Sequence, residues 1–229
     1  MSHPEPAAAP AAGDTIPAPR RGGRPTLEDA EQLGTRILDV ATELFLADGY
    51  GATSIEAVAQ RARISKRTFY HRFPDKAALF AAVVYRVVEN LRPPASVPLF
   101  EGGSFEDILH RLARLILRAA LTPSALALNR LIVAEAVRFP ELAAVSAREG
   151  AGTEAITRIA ALIEAEAKTG RLSVSDPVFA AEQFLQLVVS LPRRRALGLG
   201  TPMTEAELDA WARNSVNLFL NGCRHWQTG

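Results

Sequence analysis

The sequence predicts an all-α protein, and three observations carry that prediction. Apolar residues recur at intervals of three and four along most of the chain, which is the period of an amphipathic helix. Capping residues and Gly/Pro breaks separate these segments at helical lengths. No stretch alternates apolar and polar residues as a half-buried strand does. With 229 residues, 48% of them hydrophobic and 22% charged, the chain is long enough to bury a core of ordinary globular composition.

The first four helices follow from their apolar stripes and their caps. Leu33, Ile37 and Leu44 fall on one face of the first helix. Thr53, with Glu56 three residues later, is typical of a capping box. The first helix is predicted to end at Gly49, and the second to begin after Thr53 as its N-cap. The third is predicted to run from the N-cap Ser65 to about His71, before a break at Phe73-Pro74. The fourth is predicted to run from Asp75 to Leu91, where Pro93, Pro94 and Pro98 stop it.

Six further helices are predicted in the second half. Asp176-Pro177 places a cap before proline at the first helical position, and Thr204 with Glu207 forms a second capping-box pattern. The predicted ranges are Phe105 to Leu121, Pro123 to about Arg138, Phe139 to about Glu149, Thr153 to Thr169 after a break at Gly150 to Gly152, Pro177 to Leu191, and a last helix from Thr204 after a loop that runs from Pro192 to Gly200.

Charge is concentrated near the front of the chain. Residues 20–92 carry 12 Lys/Arg against 9 Asp/Glu, whereas residues 93–229 carry 14 of each. Between Ser54 and Lys76, six basic residues stand against two acidic ones. A basic patch on a neutral body suggests an anionic partner at one end, although a solvated surface patch has the same composition. The arm Arg20 to Pro25 either reaches along phosphates or is a linker.

Two short helices joined by a tight turn follow the helix-turn-helix plan. Ala59 is small enough for the helix crossing, Ile64 anchors the turn, and Phe69 anchors the second helix in the core. The other face of that helix is polar, and its arginine and lysine can donate to guanine edges in a major groove. The predicted DNA contacts, for bases or phosphates, are Thr53, Ser65, Lys66, Arg67, Thr68, Tyr70, His71, Arg72 and Lys76.

The segments Gly49 to Ser54, Val58-Ala59 and Ile64 to Phe80 closely resemble the DNA-binding domain of the TetR/AcrR family over about Thr35 to Leu91. Arg63 stands where that family usually has glycine, and Arg72 stands where it often has histidine. The segment Arg130 to Leu142 is similar to the regulatory domain of an AefR-like subgroup.

The resemblance implies a homodimeric transcriptional regulator, most often a repressor. In that family, a small effector binds the helical C-terminal domain, moves the fourth helix and changes the separation of the two recognition helices. The Ala/Pro-rich composition of the first residues, with almost no large apolar side chain, predicts a disordered tail with a basic arm (1–25). With the resemblance, we expect a helix-turn-helix DNA-binding domain (26–74), a connecting helix (75–92), and a helical effector-binding and dimerisation domain (93–229).

The resemblance also suggests where a second subunit and an effector would bind. In that family, two subunits commonly pair through helices in the last third of the chain. The predicted dimer residues are Ile159, Leu162, Ile163, Phe184, Leu187, Val188 and Leu191, each of which is equally compatible with internal core. The expected effector is a small apolar molecule. The candidate residues for binding it are His110, Asn129, Glu135, Gln183, Gln186 and Trp211. Each of them is also compatible with an ordinary core or surface position.

Other functional classes have less support in the sequence. There is no phosphate-binding glycine loop, no metal-ligand spacing and no nucleophile signature, so we expect no enzyme, no cofactor and no metal. The single cysteine, Cys223, excludes an internal disulfide, and neither a membrane span nor a secretory signal is recognisable, so a cytoplasmic location is expected. The alternative is a helical interaction module whose basic patch binds an acidic protein or a membrane surface.

Overall fold

The computed structural model describes residues 27–92 and 102–224, and within these ranges the chain is helical without a strand, which confirms the all-α prediction. The tail and arm expected over 1–25, and the proline stop at 93–98, lie outside the described residues. The described helices are α1 (Leu27–Asp48), α2 (Ile55–Arg61), α3 (Lys66–Arg72), α4 (Lys76–Leu91), α5 (Phe105–Ala120), α6 (Pro123–Glu135), α7 (Pro140–Glu149), α8 (Ala151–Lys168), α9 (Pro177–Ala196) and α10 (Glu205–Arg224).

Two hydrophobic cores organise these helices. The first is formed by α1 to α4, with Phe45, Phe69 and Phe80 fully buried in it. Helices α6 and α7 also contribute to the first core, through residues such as Leu131 and Leu142. The second core is formed by α5, α8, α9 and α10. The first core thus extends beyond the predicted helix-turn-helix segment, because the apolar faces of α4, α6 and α7 pack on it.

Most of the predicted caps are present, and one is shifted by a residue. The side chains of Ser65, Asp75 and Asp176 each accept a hydrogen bond from a backbone N–H in the first turn of the following helix. The N-cap of α2 is Ser54, whose Oγ accepts from the N–H of Ala57 at 3.0 Å. Thr53 is instead buried, and its hydroxyl donates to the carbonyl of Gly49 at 2.8 Å.

Two predicted breaks are shorter in the structure than the sequence suggested. Gly152 lies inside α8, so the break after α7 is confined to Gly150. Pro192 lies inside α9, which continues to Ala196, although proline has no N–H to donate to the carbonyl four residues earlier. That carbonyl belongs to Val188, and it accepts instead from the indole Nε1–H of Trp211 on α10, at 2.9 Å. Trp211 therefore compensates for the proline, so α9 continues to Ala196 and the predicted loop is shortened to residues 197–200.

We expect Trp211→Phe to lower the free energy of unfolding by about 1–3 kcal/mol, because the buried Val188 carbonyl loses its donor. In a Pro192→Ala background the backbone regains an N–H at position 192, so the same Trp211→Phe change should cost less. Urea unfolding of the four chains measures the difference as a double-mutant cycle. Equal losses in the two backgrounds would contradict this account.

None of the helices in the described ranges is by itself long and apolar enough to cross a membrane. Helices α5 and α6 meet the length and hydropathy requirements only when taken together, and the chain bends by 69° between them.

Candidate nucleic-acid interface

Helices α2 and α3 form a compact pair joined by a tight turn. Val58 and Ala59 on α2 are buried, as the predicted crossing of the two helices requires. The N–H of Arg63 donates to the carbonyl of Gln60, and that of Ile64 donates to the carbonyl of Ala59. Arg63 has a φ of 56°, a left-handed conformation that costs an arginine about 1 kcal/mol relative to glycine. The turn is thus kept without its usual glycine, and it carries an exposed cation.

Helix α3 is amphipathic despite having only seven residues. Phe69 is fully buried, and Phe73, its C-cap, is also buried. The opposite face carries Lys66, Arg67 and Tyr70, all exposed, with 49% of Tyr70 open to solvent. Helix α3 is thus anchored by aromatic residues on one face and is polar on the opposite face, as a helix that enters a DNA groove must be.

The polar side chains of α3 differ in whether they already form a hydrogen bond or an ion pair within the protein. Lys66 Nζ pairs with Glu56 Oε1 on α2 at 2.5 Å, and this hydrogen bond raises the pKa of Lys66 and lowers the pKa of Glu56. Within the described part of the chain, the side chains of Arg67 and His71 and the hydroxyl of Tyr70 have no hydrogen bond or ion pair. These three residues therefore offer their donors outward without first breaking a protein contact.

Ser65 and Thr68 stabilise the start of α3. Ser65 Oγ accepts from the N–H of Thr68 at 3.0 Å, and the two hydroxyls lie 2.8 Å apart. Both residues border the outward face, since Ser65 is exposed and Thr68 is half-buried.

Three of the predicted DNA contacts are directed at the protein itself. Thr53 is buried, and its hydroxyl is engaged as described above. Arg72 Nη1 donates to the carbonyl of Ala30 on α1 at 2.8 Å. Lys76 Nζ donates to the carbonyls of Tyr50 and Thr53 at 2.9 and 3.1 Å. Burial lowers the pKa of Lys76, against the opposing effect of nearby Glu135 and Glu141. In the free subunit these donors brace the fold, while Arg72 stays exposed to solvent, and the phosphate contacts of the three residues stay a prediction.

The six candidate effector residues lie on four helices, α5, α6, α9 and α10. Glu135 binds the turn before α2, and Trp211 binds α9, as described for Pro192. Gln183 and Gln186 are exposed, whereas Asn129 is half-buried. His110 is also half-buried and lies 3.7 Å from Glu106 on its own helix. One groove lies between α1 and α4, and another lies between α8 and the start of α9. None of the six candidate effector residues lines either groove.

The predicted dimer residues divide into two groups. Ile159, Ile163, Phe184 and Val188 are fully or almost fully buried in the second core of the subunit, which favours the internal-core alternative that the sequence left open for them. Leu162, Leu187 and Leu191 remain half-buried. Sequence periodicity identifies an apolar face, but it does not distinguish a face that packs internally from one that packs on a second subunit.

The contact of Glu135 with the helix-turn-helix was not predicted from the sequence. Glu135 lies on α6, 85 residues beyond Tyr50, and yet it accepts a hydrogen bond from the Tyr50 N–H. No local pattern signals such a contact, because it depends on how α6 packs against α1 and α4.

The buried anchors, the tight turn and the outward polar face define α2 and α3 as the two helices of a helix-turn-helix protein. Residues 37–83 match the family described as bacterial regulatory proteins, tetR family. Residues 107–222, half of the chain, match the C-terminal domain of AefR-like transcriptional repressors. The chain belongs to the TetR family of bacterial transcriptional regulators, with an AefR-like C-terminal domain, as the sequence motifs indicated.

Individual relatives agree with this assignment. The chain is 32% identical to the transcriptional regulator UidR of Escherichia coli K12 over 117 residues, which is 51% of this chain and 58% of UidR. It is 26% identical to YhgD of Bacillus subtilis over 68% of this chain and 80% of YhgD. The chain therefore spans little more than half the length of UidR in that alignment.

Solved structures extend the similarity to most of the fold. The flavonoid-responsive regulator FrrA is 31% identical, with a TM-score of 0.71 over 86% of this chain and all of FrrA. A TetR transcriptional regulator from Agrobacterium tumefaciens is 28% identical, with a TM-score of 0.63 over 82% of this chain and 93% of that protein.

Proposed function

We propose that the chain is a homodimeric, sequence-specific DNA-binding repressor that a small effector releases from its operator. The observation that carries the proposal is the outward face of α3, where Arg67, Tyr70 and His71 are exposed with their donors unengaged and Phe69 anchors the helix from behind. The function places the protein in the bacterial cytoplasm, where it meets chromosomal DNA.

On this proposal, α3 is the recognition helix. Its N-terminal residues lie in the major groove, where Arg67 donates to the O6 and N7 of a guanine. Tyr70 and His71 bind flanking phosphates. The contact set proposed for DNA is Ser65, Lys66, Arg67, Thr68, Tyr70 and His71. Two copies of α3 bind half-sites about 34–36 Å apart, so the operator is expected to have dyad symmetry.

The proposed dimer surface lies on α9 and α10. The accessible side of α8 carries ion pairs, Arg158 with Glu154 and Lys168 with Glu164, each at 2.8 Å. By contrast, Phe179 on α9 and Leu218 on α10 expose large apolar side chains. Half-buried leucines on α9, Leu187 and Leu191, extend this surface. An exposed apolar face of this kind is what a self-complementary interface covers.

The proposed effector is a small apolar molecule. FrrA, which is similar over most of this chain, is named as flavonoid-responsive. This name suggests an aromatic effector about the size of a flavonoid. The effector binds the helical C-terminal half and weakens DNA binding by the same factor by which DNA weakens effector binding.

The function is tested by mapping the duplex that the protein protects from cleavage in DNA flanking its own coding region, followed by titration of that duplex. We expect two subunits per site, and an affinity that falls with salt on a log–log slope of about −0.9 per neutralised phosphate. A monomer that binds an acidic protein or anionic vesicles but no duplex would contradict the proposal and favour an interaction module.

A further inference from the structure

The turn between α1 and α2 is held by a carboxylate from the second half of the chain. Glu135, the last residue of α6, accepts a hydrogen bond from the N–H of Tyr50 at 2.8 Å to Oε1. It accepts a second from the N–H of Gly51 at 2.7 Å to Oε2. Both oxygens of one carboxylate thus bind consecutive backbone donors, and such charge-assisted hydrogen bonds are stronger than neutral ones.

The glycines on either side of Tyr50 allow this close approach. Gly49 has a φ of 87°, and a Cβ placed there would lie 2.4 Å from Glu135 Oε1. A Cβ at Gly51 would lie 3.0 Å from the ring of Phe139, the residue before α7. The Gly49-Tyr50-Gly51 sequence is therefore explained by the contact with α6 and α7 as well as by the shape of the turn.

The opposite side of the same turn is held by α4. Lys76 Nζ donates to two carbonyls of the turn, as described above, and lies 4.3 Å from the centre of the Tyr50 ring. The Tyr50 ring packs against Phe139 at 5.1 Å, and its hydroxyl donates to Glu141 on α7 at 3.1 Å. Burial and the adjacent Glu141 carboxylate raise the pKa of Tyr50, which keeps that hydroxyl protonated as a donor. The turn is thus fixed by an anion on its N–H groups and a cation on its carbonyls.

The turn leads directly into the DNA-binding helices. Thr53 N–H donates to the carbonyl of Gly49, and the next residue, Ser54, caps α2. Helix α2 packs on α3, so a displacement of the turn reorients the pair. We propose that Glu135 is a positioning residue for DNA recognition, through which the end of α6 sets the orientation of α2 and α3. This route is additional to the fourth helix, whose movement the family resemblance implies.

This inference rests on the proposed function, because DNA recognition is the property that Glu135 is proposed to affect. Coupling is reciprocal, so a displacement of the end of α6 that weakens the Glu135 contact must lower the affinity for the operator, and operator binding must in turn stabilise that contact.

The test compares Glu135→Ala and Glu135→Gln with the control Glu141→Gln, which replaces a neighbouring carboxylate whose hydrogen bond, among the described residues, is with the Tyr50 hydroxyl and not with the turn backbone. Amide hydrogen exchange of the free protein is measured by NMR. In Glu135→Ala we expect exchange at Tyr50 and Gly51 to speed up about tenfold or more, with a smaller increase throughout α2 and α3. Glu135→Gln, which keeps one acceptor oxygen, should recover part of the protection, and Glu141→Gln should stay close to wild type.

The second measurement is the ratio of affinities for the protected duplex and for a shuffled duplex of equal length. We expect Glu135→Ala to lower this ratio by about threefold or more while binding to the shuffled duplex changes little, since phosphate contacts are retained. An exchange increase confined to Tyr50 and Gly51, or an equal response in Glu141→Gln, would overturn the inference. If the wild type prefers no duplex, the proposed function fails, whereas exchange in α2 and α3 still decides whether Glu135 positions them.

Discussion

Replacing Arg67 by alanine is expected to lower the affinity for the operator by about 5- to 150-fold. The reason is that Arg67 is exposed on the outer face of α3 and has no partner among the described residues, so its guanidinium is available to a guanine edge. A bidentate contact of that kind contributes about 1–3 kcal/mol of discrimination between bases. Binding to unrelated duplex should fall much less, since phosphate contacts dominate there. Titration of both duplexes at one salt concentration gives the two changes.

Arg61→Ala is the matched control for charge. Arg61 is also an exposed arginine of the helix-turn-helix, but it lies on α2 and pairs with Glu43 at 2.9 Å. Its loss removes one positive charge without removing a base contact, so both affinities should change by the same small factor. Should Arg67→Ala leave the operator preference intact, or should Arg61→Ala reduce it equally, Arg67 does not read a base.

Phe69→Ala is expected to have the largest effect on stability, lowering the free energy of unfolding of the first core by about 3–5 kcal/mol. Phe69 is fully buried, and with Phe73 it supplies the aromatic contacts that hold a seven-residue helix. So short a helix has little stability of its own, and its position depends on these contacts. The loss is comparable with the total stability of many domains, so duplex binding should be abolished near physiological temperature.

Tyr70→Ala is the control for this substitution. Tyr70 is the next aromatic residue on α3, with its ring 5.6 Å from that of Phe69, but it is half exposed. We expect its replacement to change the free energy of unfolding by less than about 1 kcal/mol, while it weakens binding to all duplexes. Urea unfolding followed by circular dichroism, together with duplex titration, separates the two effects. Similar stability losses for the two variants would show that α3 is not anchored through Phe69.

Much of the fold was predictable because its signals are local. Ser65, Asp75 and Thr204 identify helix starts by hydrogen bonds that span three residues or fewer. Phe69 and Ala59 were placed in the core correctly, since the spacing of apolar residues fixes one face of each short helix. The failures at Thr53 and Pro192 also have a physical cause. Thr53 and Ser54 are adjacent capping residues that sequence cannot rank, and Pro192 is tolerated because of an indole 19 residues away in the chain.

The sequence alone determined the helical class, the helix-turn-helix and the outward polar face of α3, because periodicity, caps and motif are read over a few turns of chain. Only the tertiary structure decided which cations already have a partner within the subunit. Arg67 extends into solvent, whereas Lys76 binds carbonyls of the turn before α2 and Arg72 binds α1. It likewise decided that Glu135 belongs to that turn, 84 and 85 residues away in sequence. Availability of a charged side chain depends on what other segments place beside it, and that placement is fixed only when the cores pack.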